Sequence, residues 1–301
     1  MGWLVGTRNG LFGPGGDHWL DGREITALAP AADGWWALVD GRDVVRLNAG
    51  AVEMIASIDE ELGRSLLPVG DEVLIGTATA RMALARPGSA EMLTTFDRAP
   101  GRERWYTPWG GPPDTRSLSA APDGAVYANV HVGGILRASD PLGAWEPTID
   151  IDADVHQVLA DPSKARHVVA ATALGLAESL DGGDTWRFIT DGLHAAYARA
   201  VALDGEELFM SASVGPRGGR AAVHRLPPGE VGFLRSTVGL PEWFGQNIDS
   251  HCLAAAGGTV VFGAEGRLFL SEDKGASWRD AGTSYPESTC VAVAASEGPG
   301  P

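Results

Sequence analysis

The chain is poor in cysteine and in basic charge, and it has no long apolar run. Only Cys252 and Cys290 are present among 301 residues, which excludes a disulfide framework and leads us to expect a cytoplasmic protein. Each thiol opens an apolar run, Cys252-Leu253-Ala254 and Cys290-Val291-Ala292. Buried thiols are the expectation, with a disulfide joining the two runs as the alternative. No stretch approaches the ~18 apolar residues of a membrane span. The opening Met1-Gly2-Trp3-Leu4-Val5-Gly6-Thr7-Arg8 has no basic region and no small-residue cleavage site, so no signal peptide is expected. Thirty-nine acidic against 23 basic residues give a formal net charge of -16. A phosphate backbone or an anionic bilayer would be repelled, so neither nucleic acid nor membrane is an expected partner. The Walker loop, the C-x-x-C pair, the G-x-S-x-G elbow and the H-E-x-x-H helix are all missing, which removes the reactions that rest on them.

Turn residues are plentiful, with 41 Gly and 19 Pro. A short apolar strand ending in a polar turn recurs seven times, anchored at Leu28, Leu67, Leu118, Val158, Val201, Leu253 and Val291. Second strands follow six of these, at 35–39, 73–76, 125–130, 167–171, 207–211 and 259–263. After the seventh anchor the chain has only a short tail, Glu297-Gly298-Pro299-Gly300-Pro301. The missing strands stand at the other end, in Trp3-Leu4-Val5-Gly6 and Gly10-Leu11-Phe12. The repeat therefore predicts an all-β, seven-bladed β-propeller over residues 1–301, a single domain closed by N-terminal strands pairing with the C-terminal strand. Closure removes exposed sheet edges. Two steps between anchors are longer and carry insertions rich in rings and proline: 99–114, with Trp105 and Trp109, and 236–249, with Trp243 and Phe244.

Two segments, Ser179-Leu180-Asp181-Gly182-Gly183-Asp184-Thr185-Trp186 and Ser271-Glu272-Asp273-Lys274-Gly275-Ala276-Ser277-Trp278, read S-x-D-x-G-x-[S/T]-W. The carboxylate can accept backbone N–H groups further along the turn, and Gly supplies a backbone conformation closed to other residues. Trp begins the next strand as an apolar plug. Ser139–Trp145 and Gly15–Trp19 look like worn copies. The pattern resembles the Asp-box (BNR) repeat of sialidases, sortilin-type receptors and photosystem II assembly-factor propellers. Asp154–Leu203 and Ser211–Gly219 are similar to the bacterial WD40/YVTN/BNR-like propellers, often labelled glycosyl hydrolase by fold. The sialidase catalytic set is not matched: the Arg-Ile-Pro segment is absent, and Tyr285 is the sole nucleophile candidate near the expected blade.

What the resemblance implies is a pocket on the face where first strands begin, with the boxes on the opposite rim as scaffold. That geometry gathers His131, His156, His251 and Glu265 as candidate catalytic groups. It also gathers Arg116, Tyr197 and Arg199 to orient a substrate, with Trp105, Trp109 and Trp243 as walls. Asp154-Val155-His156 and Asp249-Ser250-His251 repeat a D-x-H spacing, which offers the nitrogens and oxygen of a metal ligand set or an acid–base pair. His131, His156 and His251 are the candidate ligands of a divalent metal, the cofactor such a site would use. Such histidines also serve simply to hydrogen-bond neighbouring blades. Two functions are expected from this pattern. One is a small-molecule-binding propeller, a hydrolase or lyase acting on a polar anionic substrate. The alternative is a non-enzymatic scaffold that docks a protein partner.

Overall fold

The computed structural model describes residues 2–285 and 288–294, with only the backbone at Thr283; the tail Glu297–Pro301 lies outside the described residues. The chain forms seven sheets of four strands each, arranged as the blades of a β-propeller. Blade 1 is Ile25–Ala31, Gly34–Val39, Asp43–Asn48 and Ala51–Ser57; blade 2 runs Gly63–Met92, blade 3 Thr115–Pro147 and blade 4 Val155–Ile189. Blades 5 and 6 run Tyr197–Arg235 and Leu253–Ser284. Blade 7 joins Ser288–Ala294 to Gly2–Thr7, Gly10–Phe12 and His18–Trp19. The chain divides into two compact units, residues 26–189 and residues 1–25 with 190–301.

Hydrophobic pattern dictates the strands. Second strands read as continuous apolar runs because both faces are covered. Val126–Val130, Val168–Thr172 and Glu207–Ser213 are buried throughout. Fourth strands are short or polar: Glu146–Pro147 is exposed, and Ala51–Ser57 is exposed over its first four residues. In the 26–189 unit, one core gathers Leu74, Leu84, Phe96, Val130, Leu136 and Trp145 from blades 2 and 3. In the other unit Phe209, Phe244, Phe262, Phe269 and Trp278 form the corresponding core, with Phe262 stacked on Phe269 at 4.9 Å.

Blade 7 holds the predicted closure. Gly2–Thr7 pairs antiparallel with Ser288–Ala294, Trp3 opposite Val293, Val5 opposite Val291 and Gly6 opposite Cys290. A side chain at Gly6 would meet Cys290 Sγ at 2.6 Å and Ile25 Cγ2 at 2.8 Å, so only glycine fits there. Both thiols are free and buried. Burial pushes the Cys290 thiol up to about 12 and Cys252 higher still, which makes them inert. Tyr285 is buried against the edge of Phe12.

Both intact boxes form closed turns. Ser179 Oγ donates to Asp181 at 2.8 Å and accepts from Gly183 N at 2.7 Å; Thr185 donates to Asp181 through its N–H at 2.9 Å and its hydroxyl at 2.6 Å. Trp186 Nε1 donates to Thr148 O at 3.0 Å, tying this turn to blade 3.

Candidate functional site

A recurring irregularity positions the candidate side chains. The pairing of first with second strands shifts register between Thr115 and Ser117, between Val155 and Gln157, and between Ala198 and Val201. The residues at these bulges are Arg116, His156 and Arg199 with Ala200. A bulge bends the strand and re-aims its side chain. Serine hydroxyls hold the next blade in place beside it. Ser117 and Ser119 Oγ accept Val158 N and Ala160 N, each at 2.9 Å.

In the 26–189 unit, two histidines and a carboxylate converge. His131 follows the second strand of blade 3, and His156 lies in the first strand of blade 4. Asp154 caps the short 3-10 turn Ile151–Ala153 in the left-handed region, at φ +48°. A non-glycine residue held there carries strain that the surroundings must impose. Asp154 Oδ1 lies 3.3 Å from His131 Nε2, and Oδ2 lies 3.7 Å from His156 Nε2. Donor atoms of the three residues all fall within 4.8 Å of one another. His156 is fully buried and His131 nearly so. Burial alone would raise the Asp154 carboxyl. Contact with His131 and the charges of His156 and Arg116 outweigh it and hold Asp154 below the usual carboxylate range. His131 Nδ1 and Asp154 Oδ1 are buried without an aligned hydrogen-bond partner.

Around this cluster, Asp114 Oδ1 stands 3.8 Å from His131 Nδ1 and 3.3 Å from Arg116 Nη2. Trp109 covers His131, ring centres 5.0 Å apart, and is 64% exposed. Trp105 does something else. It packs on Phe96 at 6.0 Å and under the Arg102 guanidinium at 4.8 Å, anchoring the 99–114 insertion. Asn129 was not suggested by the sequence reading. It is fully buried, and neither its amide nitrogen nor its oxygen has a hydrogen-bond partner. Its place two residues before His131 was the available signal. Asp114 was likewise missed, and its adjacency to Arg116 was the only hint.

In the other unit, Arg199 Nη1 donates to Asp249 at 2.6 Å and Nη2 to Pro216 O at 3.2 Å, with the guanidinium 5.4 Å from the Tyr197 ring. Glu265, left-handed at φ +52°, accepts Gly245 N at 2.6 Å and Gln246 N at 3.2 Å, so it braces the 236–249 insertion. Beside it a cleft of about 450 Å³ is lined by Gln246, Asn247, Asp249 and Glu265. His251 is left-handed at φ +65° and its carbonyl accepts Val291 N at 2.8 Å. Among the described residues it is no part of the His131–Asp154–His156 cluster. Trp243 lies against His194, ring centres 4.6 Å apart.

No family model and no curated protein matches this chain. Solved propellers do match its fold. A candidate 6-phosphogluconolactonase from Bacteroides uniformis aligns over 96% of this chain and 98% of its own, with a TM-score of 0.63 and 14% identity. YCF48 from Cyanidioschyzon merolae aligns over 93% and 88%, with a TM-score of 0.59 and 13% identity. A GH74 xyloglucanase from Xanthomonas campestris aligns over 92% of this chain but 46% of the enzyme, with a TM-score of 0.60 and 14% identity. At these identities the likeness establishes a propeller and leaves the chemistry to the residues. No helix of the described residues is long and apolar enough to cross a membrane.

Proposed function

We propose that His131, Asp154 and His156 would hold a divalent cation, which when bound would supply Lewis-acid chemistry for a hydrolase- or lyase-type reaction on a small polar anion. The convergence of three donors, with Asp154 Oδ1 buried and lacking an aligned hydrogen bond, supports this reading. Donors on a tetrahedral ion with bonds near ~2.1 Å stand roughly 3.4 Å apart. The donor atoms of the three residues lie within 4.8 Å of one another, close enough to share one ion. Two imidazoles and a carboxylate suit Zn²⁺, Fe²⁺ or Mn²⁺ and leave coordination positions open. Arg116, its charge partly met by Asp114, would orient the anion, and Trp109 would form a wall.

Metal analysis and titration of the purified chain with Zn²⁺, Mn²⁺ and Co²⁺ test this. One ion per chain, lost in His156→Ala and Asp154→Asn, is the expected result. A chain that takes up none of the three overturns it. A second reading, a protein-docking scaffold, is favoured by two exposed rings on one insertion, Tyr106 and Trp109. A YCF48 structure of similar fold, aligning with a TM-score of 0.57 and 16% identity, is bound to D1 peptide. Under that reading the histidines bind no ion, and Trp109→Ala abolishes partner capture.

A further inference from the structure

Blade 5 and the insertion that follows it carry a second cluster, unrelated to the histidine–aspartate centre. Five flat groups pack together there. His224, fully buried in the strand Ala222–Leu226, lies parallel to His194, ring centres 5.1 Å apart and planes 9° apart. His194 in turn meets Trp243 at 4.6 Å. The guanidinium carbons of Arg220 and Arg235 stand 4.4 and 4.1 Å from the centre of the Trp243 ring.

The hydrogen bonds run in one direction. A carbonyl only accepts, so His194 Nε2, 2.7 Å from Arg220 O, must carry a proton. His194 Nδ1 is then the acceptor for His224 Nε2–H at 3.3 Å, and His224 Nδ1 is left buried without a partner. Burial and the neighbouring His194 push His224 down to about 3, while burial and the two arginines lower His194 despite its bond to the Arg220 carbonyl. Arg220 holds the left-handed region at φ +51°, which presents its carbonyl to His194. Strain of this kind gathers at ligand clamps.

What this cluster lacks is a counter-charge. Arg225, in the same blade, is met by Glu207 at 3.3 Å. Among the described residues no carboxylate reaches the guanidinium of Arg220 or Arg235. Arg235 spends one N–H on Glu242 O at 3.2 Å, and Arg220 spends none. In a chain of net charge -16, two guanidinia thus contact one Trp243 ring with most of their N–H donors unspent on the protein.

We propose that Arg220 and Arg235, both set against the Trp243 ring beside His194 and His224, form a binding site for a small phosphate-type oxyanion, free or as a phosphomonoester. A phosphate carries about -1.5 to -2 charges near neutral pH, which matches two arginines. Its oxygens take the parallel N–H donors of a guanidinium in charge-assisted bonds.

Calorimetric titration with inorganic phosphate, and in a parallel arm with glycerol phosphate, checks the site against chloride at equal ionic strength. One saturable site is expected in either arm, and the tighter ligand identifies the source. Arg220→Gln weakens it by about tenfold, the scale of one lost charge-assisted contact, and the double variant with Arg235→Gln abolishes it. Arg220→Gln decides the question even if the double variant fails to fold, because that exposed side chain makes no hydrogen bond of its own. Absence of a saturable site in the wild type, or unchanged phosphate affinity in Arg220→Gln, overturns the proposal. A lower melting temperature with unchanged affinity would reduce the stack to a clamp on the insertion.

Discussion

The same three-letter pattern has two outcomes in this chain. In Asp154-Val155-His156 the left-handed residue is the aspartate, at φ +48°, and its carboxylate stands between His131 and His156. In Asp249-Ser250-His251 the left-handed residue is the histidine, at φ +65°, and the carboxylate turns to Arg199. What differs is the group each carboxylate meets. The box turns behave in the opposite way. The Ser–Asp bond is 2.8 Å in both copies and the hydroxyl–Asp bond 2.6 Å in both, although the fourth position is Gly182 in one and Lys274 in the other. Both of those residues are left-handed. A motif that closes on its own side chains reproduces its geometry. A motif that depends on neighbours takes the geometry they impose.

The largest expected effect follows from that contrast. Losing a group that merely orients a metal ligand lowers affinity by about 10–100-fold, so losing a ligand lowers it further. Asp154→Asn or His156→Ala should therefore weaken Co²⁺ binding by on the order of a hundredfold or more, read from visible absorption. His251→Ala, from the twin motif, should leave it unchanged. Equal losses in both motifs would mean that spacing alone defines the ligands.

Next come the boxes. Ser179→Ala and Ser271→Ala each strip the acceptor from a buried N–H, that of Gly183 or Gly275. An unsatisfied buried donor costs about 1–3 kcal/mol. Urea denaturation should show the two substitutions costing the same, since the two turns are copies. A large difference would show that packing behind the turn decides, Thr148 behind Gly183 and Phe209 behind Gly275.

Acid reads the same turns in a second way. The hydroxyl of Thr185 holds the Asp181 carboxyl at about 2, and that of Ser277 holds Asp273 at about 2. Both lie below the unfolded value near ~3.9. The folded state thus prefers the ionised form, and its contribution is complete above pH ~4 and fades as pH falls toward about 2. Thermal melts from pH 5 to pH 2 should drop less steeply in the Asp181→Asn, Asp273→Asn double variant than in the wild type. Parallel slopes would detach the boxes from acid stability.

These cases also explain what could be read before the structure. Seven apolar anchors gave seven sheets, and second strands such as 35–39 and 73–76 fell within a residue or two of Gly34–Val39 and Glu72–Thr77. Burial pattern is a local property of the chain, so it was legible. The bulges were not, because one extra residue opposite Thr172 or Val130 leaves no mark in composition. They nevertheless place His156 and Arg116. Asp114 and Asn129 escaped for a related reason. Asp114 meets His131, 17 positions away, and Asn129 is enclosed by the folded sheet, which folding rather than spacing decides. Trp105, a ring on the 99–114 insertion, packs against the core as well, which its place in a loop did not reveal.

The smallest expected effect belongs to Asp249. Its carboxylate is 56% exposed, and its partner Arg199 also bonds the Pro216 carbonyl. An exposed pair of this kind contributes about 0.2–1 kcal/mol. Asp249→Asn should therefore shift the urea midpoint slightly at low salt. The shift should vanish in high salt, where the charge it removes is already screened. A loss that persists in salt would mean that Asp249 acts through its place in the turn to Cys252, whose N–H bonds the Asp249 carbonyl at 3.0 Å. The second D-x-H motif would then be a backbone device from end to end, and its likeness to Asp154-Val155-His156 would be confined to the letters.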